Sequence, residues 1–458
     1  MSIKPRATMH ASSPETARLR EKVLEYARER MEFDPAPLDT PQTEAFLREN
    51  APNTVNEKGL GGDEALRVFA EVLAPACLST DHPGYLSFIP TAPTEASTLF
   101  DLVVSASSIY GGSWLEGSGA VFAENEVLAW LAREAGLPAT AAGVFVQGGT
   151  LGNLSALVAA RHTAMAARDT RPERWKVLCS AEAHSSIKAA ARVMDIDVVL
   201  ATPDANGRLH GAAVREALEA AGDGVFAIVA TGGTTNFGIV DKLREIGEVA
   251  SEYGIWYHID GAYGLAGLLA PKTRHLFDGT ELADSFIVDP HKWLFAPFDA
   301  CALVYRNPEL AKAAHTQHGE YLDTLTEGGD FNPSDYAYNL TRRVRGLPLW
   351  FSLATHGTAA YSDAVAQNID TAHEIAEVIR ERDDLELVRE PELSVVVFKK
   401  KGWALADYDR WSAKLLDSGL GFVVPSSHKG EPNTRFAIVN PRTTLELLIK
   451  ILDTMEGA

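Results

Sequence analysis

Three cysteines in 458 residues are too few to build a disulfide framework. Cys77, Cys179 and Cys301 all stand in apolar surroundings and read as reduced core residues. No apolar run approaches the roughly 20 residues that span a bilayer. The opening Met1-Ser-Ile-Lys-Pro-Arg-Ala has no apolar segment of the kind that directs secretion. A cytoplasmic protein without a membrane partner is the expectation. Positive charge is scarce: 42 Lys and Arg stand against 62 Asp and Glu, a net charge of −20, which argues against a nucleic-acid surface. Internal repeats and low-complexity tracts are missing too. No Cys or His spacing resembles a zinc site, so no metal is expected. His258 and Asp260 read as alternate positions of one strand rather than as a ligand pair.

What is present is an ordinary globular composition, 46% hydrophobic and 23% charged. The length suggests more than one core. An amphipathic pattern predicts a helix over 14–32, with Pro14 and Glu15 in its first turn, and a second over about 62–74. Strand signal is weak until Val144. From 143 onward, short apolar runs alternate with helical stretches: Gly143–Gln147, Lys176–Ser180, Asp197–Leu200, Val225–Ala230, Ile255–Asp260 and Ser285–Val288. That alternation predicts a mostly parallel α/β sheet covered on both faces. After about 346 a long helix leads into a smaller α+β unit, with strands near 394–398, 421–424 and 434–439 and helices near 404–418 and 442–455. The expected division is an N-terminal helical arm (1–80), a large α/β domain (81–345) and a small C-terminal domain (346–458). Residues 318–338, rich in Gly, Asp, Thr and Tyr, fit neither period and suggest a mobile lid.

Four chemical features fall at the carboxyl ends of predicted strands, where open α/β sheets bind ligands. Gly148-Gly149-Thr150-Leu-Gly152-Asn153 lies between a strand and a helix, where small residues let N–H groups approach an anion. Alone, such a turn serves packing as readily. His184 opens a predicted helix and, alone, reads as incidental. Asp260 ends a strand, where a carboxylate is costly without a cation or strong donors. Lys292 follows the buried run Ser285–Val288 and the turn Asp289-Pro290; burial there lowers an ammonium pKa and favours a nucleophilic amine. Together the four suit pyridoxal 5'-phosphate. That cofactor needs an anion cradle, a carboxylate at its ring nitrogen, a flat group on its ring face and a lysine to carry it.

The motifs His82-Pro83-Gly-Tyr85, Gly148-Gly-Thr150, Ala183-His184-Ser-Ser186, His258-Ile-Asp260-Gly-Ala-Tyr263, Asp289-Pro-His291-Lys292-Trp293, Arg342-Arg343-Val-Arg345 and Arg435-Phe-Ala-Ile-Val-Asn-Pro-Arg442 follow one another from about residue 75 to the C-terminus. In them the chain resembles the pyridoxal-phosphate-dependent group II decarboxylases, most of all the aromatic-L-amino-acid branch. The Gly-Gly-Thr turn is closer to the glutamate branch. The resemblance implies fold type I of these enzymes and decarboxylation of an L-amino acid, expected to be aromatic, to the amine. Lys292 is then the cofactor-bearing lysine, Asp260 the partner of the ring nitrogen and His184 the ring-stacking imidazole. Gly149, Thr150, Thr234 and His291 are cofactor contacts. Phe88, Pro90 and Thr91 match the substrate-pocket segment. Tyr110, Gly112 and Trp114 match a segment that reaches across a homodimer interface. Tyr336 or Tyr338 is the expected proton-donating loop tyrosine. The alternatives are an aldehyde synthase on the same scaffold and a protein that keeps the fold without catalysis.

Overall fold

The computed structural model describes residues 9–317 and 330–456. Most of the expected loop, residues 318–329, lies outside them.

The arm begins with α1 (Pro14–Glu32). Ser13 caps it, accepting from the Thr16 N–H at 3.1 Å, and Pro14 fills the first turn, where its missing N–H costs nothing. Two short helices follow, α2 (Glu44–Asn50) and α3 (Gly62–Val68). Then come α4 (Glu95–Ser107) and α5 (Trp114–Glu134). The sequence pattern missed α2, α4 and α5. In α5 ten residues are buried, yet Leu115 and Phe122 stand on its exposed side, and apolar residues on both sides blur the one-sided periodicity that marks a surface helix.

The large sheet has seven strands: β1 (Ala142–Val146), β2 (Lys176–Ser180), β3 (Asp197–Ala201), β4 (Val225–Thr231), β5 (Trp256–Asp260), β6 (Ser285–Val288) and β7 (Cys301–Tyr305). Their spatial order is β1-β7-β6-β5-β4-β2-β3. Only β7 runs against its neighbours. β4 is buried at all seven positions, as a continuous apolar run in a doubly covered parallel sheet requires. On one face Val146, Cys179, Val229, Ile287 and Cys301 pack beneath α6 (Gly149–Ala166) and α7 (Ser185–Met194). On the other, Phe145, Ile228, Tyr257, Ile259 and Phe286 meet α5, α8 (Gly211–Ala221) and α9 (Leu243–Tyr253).

After α10 (Pro308–His315), the long α11 (Leu347–Glu381), interrupted at Gly357, leads to a four-stranded antiparallel sheet. Its strands are β8 (Leu385–Leu387), β9 (Val395–Lys400), β10 (Pro425–His428) and β11 (Glu431–Ala437). α12 (Leu405–Asp417) and α13 (Leu445–Asp453) close a separate core around Phe398, Trp411 and Phe436. The run expected as a strand at 421–424 is extended but pairs elsewhere. Leu86 N–H donates to Phe422 O at 3.0 Å and Phe422 N–H to Gly84 O at 2.8 Å, so this stretch ties the start of the large unit to the small sheet. Cys77, expected in a core, is exposed; Cys179 and Cys301 are buried.

Candidate active site

Strand register assembles one edge of the large sheet. Asp260 pairs with Thr231 of β4 and Ile287 of β6, so the carboxyl ends of three parallel strands lie in one row. β7 is antiparallel and begins at this edge, with Cys301 opposite Val146. Two loops leave the row in near contact: a Cβ on Gly233, at φ +114°, would stand 2.6 Å from Gly264 Cα. Only glycine fits there without strain.

Asp260 is buried, and the two N–H groups that donate to it are neutral. Oδ1 accepts from Ala262 N–H at 3.2 Å and Oδ2 from Asn153 Nδ2 at 2.9 Å. Its neighbour on the same strand face, His258, is fully buried and makes two bonds: Nδ1 with Ser285 Oγ at 2.8 Å and Nε2 with Asn153 Oδ1 at 2.8 Å. Asn153 Nδ2 also donates to Ser186 Oγ at 2.9 Å, and Ser186 Oγ lies 2.9 Å from His184 Nδ1. Asp260 and His184, far apart in sequence, are thus linked through Asn153 and Ser186. The reading of His258 as a strand residue holds, with a hydrogen-bonding role that the sequence did not signal.

Lys292 sits in a tight turn after β6, its N–H donating to Asp289 O at 2.9 Å. Its ammonium Nζ is 2.9 Å from Asp289 Oδ2. Burial works against this ammonium, but the charge and hydrogen bond of Asp289 outweigh it and hold the pKa above the ordinary lysine value. The expected lowering is therefore reversed, and the cause is a carboxylate that the motif reading treated only as a turn residue. Asp289 Oδ1 is buried without a partner among the described residues. The Cys301 thiol beneath is driven up first by burial and then by Asp289. His291 accepts from Ala300 N–H at 3.0 Å through Nδ1, and burial lowers its pKa.

The glycine turn opens α6 against this group. Leu151 and Gly152 N–H both donate to Gly148 O at 3.0 Å, which leaves Gly149 and Thr150 N–H in the first turn, where a helix offers donors to an anion. A Cβ on Gly149 would come within 3.1 Å of Asp289 Oδ2 and 3.2 Å of Ile287 Cδ1, and one on Gly148 would lie 3.6 Å from His291 Cε1. A side chain on Gly149 would close that space.

The remaining expected residues divide. Thr234 is buried, and its Oγ1 accepts from Ile239 N–H at 3.1 Å, which braces its own loop. Thr91 donates to Ala296 O at 2.7 Å and Pro90 is buried beside it, while Phe88, at φ +55°, is 57% exposed with its ring 6.4 Å from Phe422. Tyr110, Gly112 and Trp114 are tied to the stretch 332–342: Tyr110 OH donates to Leu340 O, Ser334 N–H to Gly112 O, and Trp114 N–H to Asn332 Oδ1. Arg342 holds that stretch through a buried pair with Glu124 at 2.8 Å. Tyr336 does not stand on an open loop. It is 3% exposed, stacks on Phe331 at 4.4 Å, and its hydroxyl pKa is raised by burial and by Glu309 and Asp335. Tyr338 is 69% exposed.

The donor set fits pyridoxal phosphate: a helix-opening glycine turn for the phosphate, a buried carboxylate whose hydrogen-bond donors are neutral for the ring nitrogen, and the Lys292 amine, paired with Asp289. Comparison with known proteins agrees. Residues 45–401 match the pyridoxal-dependent decarboxylase conserved domain. The chain is 28% identical to an aromatic-L-amino-acid decarboxylase of Bacillus atrophaeus, covering 89% of this chain and 87% of that one. It is 31% identical to an L-2,4-diaminobutyrate decarboxylase of Rhizobium meliloti, over 87% and 82% of the two chains. Among solved structures, Oryza sativa TDC with PLP and tryptamine superposes with a TM-score of 0.90 at 23% identity, covering 98% and 99% of the two chains. The chain belongs to the pyridoxal-dependent decarboxylase family, and pyridoxal phosphate is its cofactor.

Proposed function

We propose that the chain removes the α-carboxyl group of an aromatic L-amino acid and releases the amine and carbon dioxide. Bound pyridoxal phosphate supplies the electron sink for the pair left behind by the departing carboxylate. The protein's part is to hold and orient. Lys292 would hold the cofactor through its amine, which must first release the proton that its pair with Asp289 stabilises. Asp260 would face the ring nitrogen; its two hydrogen-bond donors are neutral, so its charge is kept to favour a protonated ring. Gly149, Thr150 and His291 bind the phosphate, and His184 covers the ring face. The observation that carries this reading is the common row of Asp260 with the β6 end that leads into the Lys292 turn.

The aromatic preference rests on exposed rings near the row. Phe88 begins the segment whose Thr91 bonds to Ala296, and Phe298 is 54% exposed with its ring 5.2 Å from His291. Amine release needs a proton at the α-carbon, and Tyr338 has the exposed hydroxyl for it. An aldehyde synthase is the second reading, favoured by the buried state of Tyr336 and by 27% identity, over 77% of this chain, to a 4-hydroxyphenylacetaldehyde synthase of Rhodiola rosea.

A homodimer belongs to this reading. α1 buries none of its residues and leaves Val23 and Leu24 exposed, while Leu102, Val103, Leu115 and Phe122 leave a second apolar face open. A second copy of the chain is the occupant that suits both faces. Among the described residues no helix is long and apolar enough to cross a membrane, and a cytoplasmic location completes the proposal.

The test is turnover of the purified holoenzyme on the individual L-amino acids, with amine, carbon dioxide and hydrogen peroxide measured together. Aromatic amines without peroxide are expected. Turnover of 2,4-diaminobutyrate alone would overturn the substrate class, and stoichiometric peroxide would favour the second reading.

A further inference from the structure

We propose that Asn153 is a positioning residue that joins the carboxylate at the cofactor's ring nitrogen to the imidazole at its ring face, through a hydrogen-bond chain of fixed direction that starts at Trp256. The inference rests on the assignment of Asp260 and His184 given above.

The direction follows from what each group can donate. The Trp256 indole can only donate, and its Nε1–H reaches Ser285 Oγ at 2.9 Å. Ser285 is therefore free to direct its own hydrogen to His258 Nδ1, 2.8 Å away. An imidazole that accepts at Nδ1 carries its proton on Nε2, which then donates to Asn153 Oδ1 at 2.8 Å. The Asn153 amide nitrogen is left facing Asp260 Oδ2 and Ser186 Oγ, each at 2.9 Å, with one hydrogen for each. The other end demands the same orientation independently, because a carboxylate only accepts. Ser186, having accepted, sends its hydrogen to His184 Nδ1, which also receives the Ser186 N–H at 3.2 Å. That places the His184 proton on Nε2.

The chain is sealed from water up to its last member: Ser285 and His258 are 0% exposed, Asn153 1% and Ser186 2%, while His184 at its end is exposed. Burial lowers the His258 pKa to about 3, so the imidazole stays neutral and adds no charge beside Asp260. Asn153 stands one turn after Gly149 and Thr150 on α6. One helix would therefore hold the phosphate with its first N–H groups and fixes the ring partner with its fifth residue, Asn153. The sequence signal was available, since His258 and Asp260 share a strand face, but nothing in the spacing linked them to Asn153.

The experiment compares wild type, Asn153→Ala and Asp260→Asn as purified holoenzymes. Affinity for pyridoxal phosphate and the absorbance spectrum of the bound cofactor are measured. Histidine-selective 15N NMR, with His258 assigned by a His258→Gln variant, reads tautomers in the wild type, so the test does not depend on the variants folding. The proposal expects a neutral His258 with its proton on Nε2. It also expects roughly 10- to 100-fold weaker cofactor binding in Asn153→Ala, as for loss of a hydrogen bond to a charged group, with an altered spectrum. An Nδ1–H tautomer at His258 would overturn the chain's direction. Wild-type affinity and spectrum in Asn153→Ala, with Asp260→Asn impaired, would overturn the positioning role alone. If Asp260→Asn also matches wild type, the site assignment itself fails.

Discussion

The Glu124–Arg342 pair allows a stability prediction worked from geometry. Both side chains are almost fully buried, at 2% and 3% exposure, and their charged atoms are 2.8 Å apart. Glu124 Oε1 also accepts from Gly346 N–H at 2.8 Å, while Arg342 Nη2 donates to Phe145 O at 3.1 Å. Glu124→Gln keeps the shape but replaces one accepting oxygen with a donating nitrogen. Whichever way the amide turns, it faces either the guanidinium or the Gly346 N–H donor to donor. Removing one partner of a buried ion pair costs about 3–5 kcal/mol. At about 2 cal/mol/K of unfolding entropy per residue, a chain of this length loses about 3–5 °C in Tm. Differential scanning fluorimetry of the holoenzyme measures this. Glu32→Gln is the control: its pair with Arg28 is 54% and 59% exposed, and such pairs contribute little. A Glu124→Gln midpoint within 1 °C of wild type, or no larger a drop than Glu32→Gln, refutes the reasoning. Arg342 also bonds to the Gly111 carbonyl, so a rise in KM should accompany the loss of stability if the Tyr110–Trp114 segment serves the pocket.

Other outcomes follow from the same geometry. Asp260→Asn removes the charge and sets an NH2 donor against either the Asn153 amide or the Ala262 N–H; cofactor affinity should fall about 10- to 150-fold, for about 1.5–3 kcal/mol, and equilibrium dialysis would refute this by finding an unchanged Kd. His258 has a folded pKa of about 3 against an ordinary 6.5, so the unfolded chain takes up a proton first as pH falls. Stability should therefore drop between about pH 6.5 and 3. Urea midpoints across that range should fall less steeply in His258→Gln, and parallel curves would count against a buried neutral imidazole. Tyr338→Phe should slow amine formation and raise peroxide, whereas Tyr336→Phe should change both little; the reverse ranking in a coupled peroxide assay would transfer the proton-donor role to Tyr336.

Much of this architecture was legible because parallel strands buried on both faces leave continuous apolar runs, and β1, β2, β4, β5 and β6 all did so. α1 was legible from Ser13, Pro14 and its stripe. α5 was not, because apolar residues stand on its exposed side (Leu115, Phe122) as well as on its buried one. Lys292, Asp260 and Gly149 were readable as strand-end chemistry, since a charge or a glycine pair at a buried edge needs a reason. Asn153, Ser186 and Asp289 were not, because their significance depends on which strands lie side by side. The order β6-β5-β4, which sets Asp260 beside the β6 end, is a tertiary fact. Tyr336 looked like a lid residue by composition; Phe331 and the β7 residue Tyr305, which donates to its carbonyl at 3.1 Å, hold it in the core instead.

The central claim is that Lys292 carries the cofactor. Borohydride treatment of the holoenzyme, followed by peptide mass spectrometry, traps the covalent link between pyridoxal phosphate and the protein. The account predicts a single phosphopyridoxyl adduct, on Lys292, and its loss together with the bound-cofactor absorbance band in Lys292→Ala. An adduct on another lysine, or an unchanged band in Lys292→Ala, would contradict it.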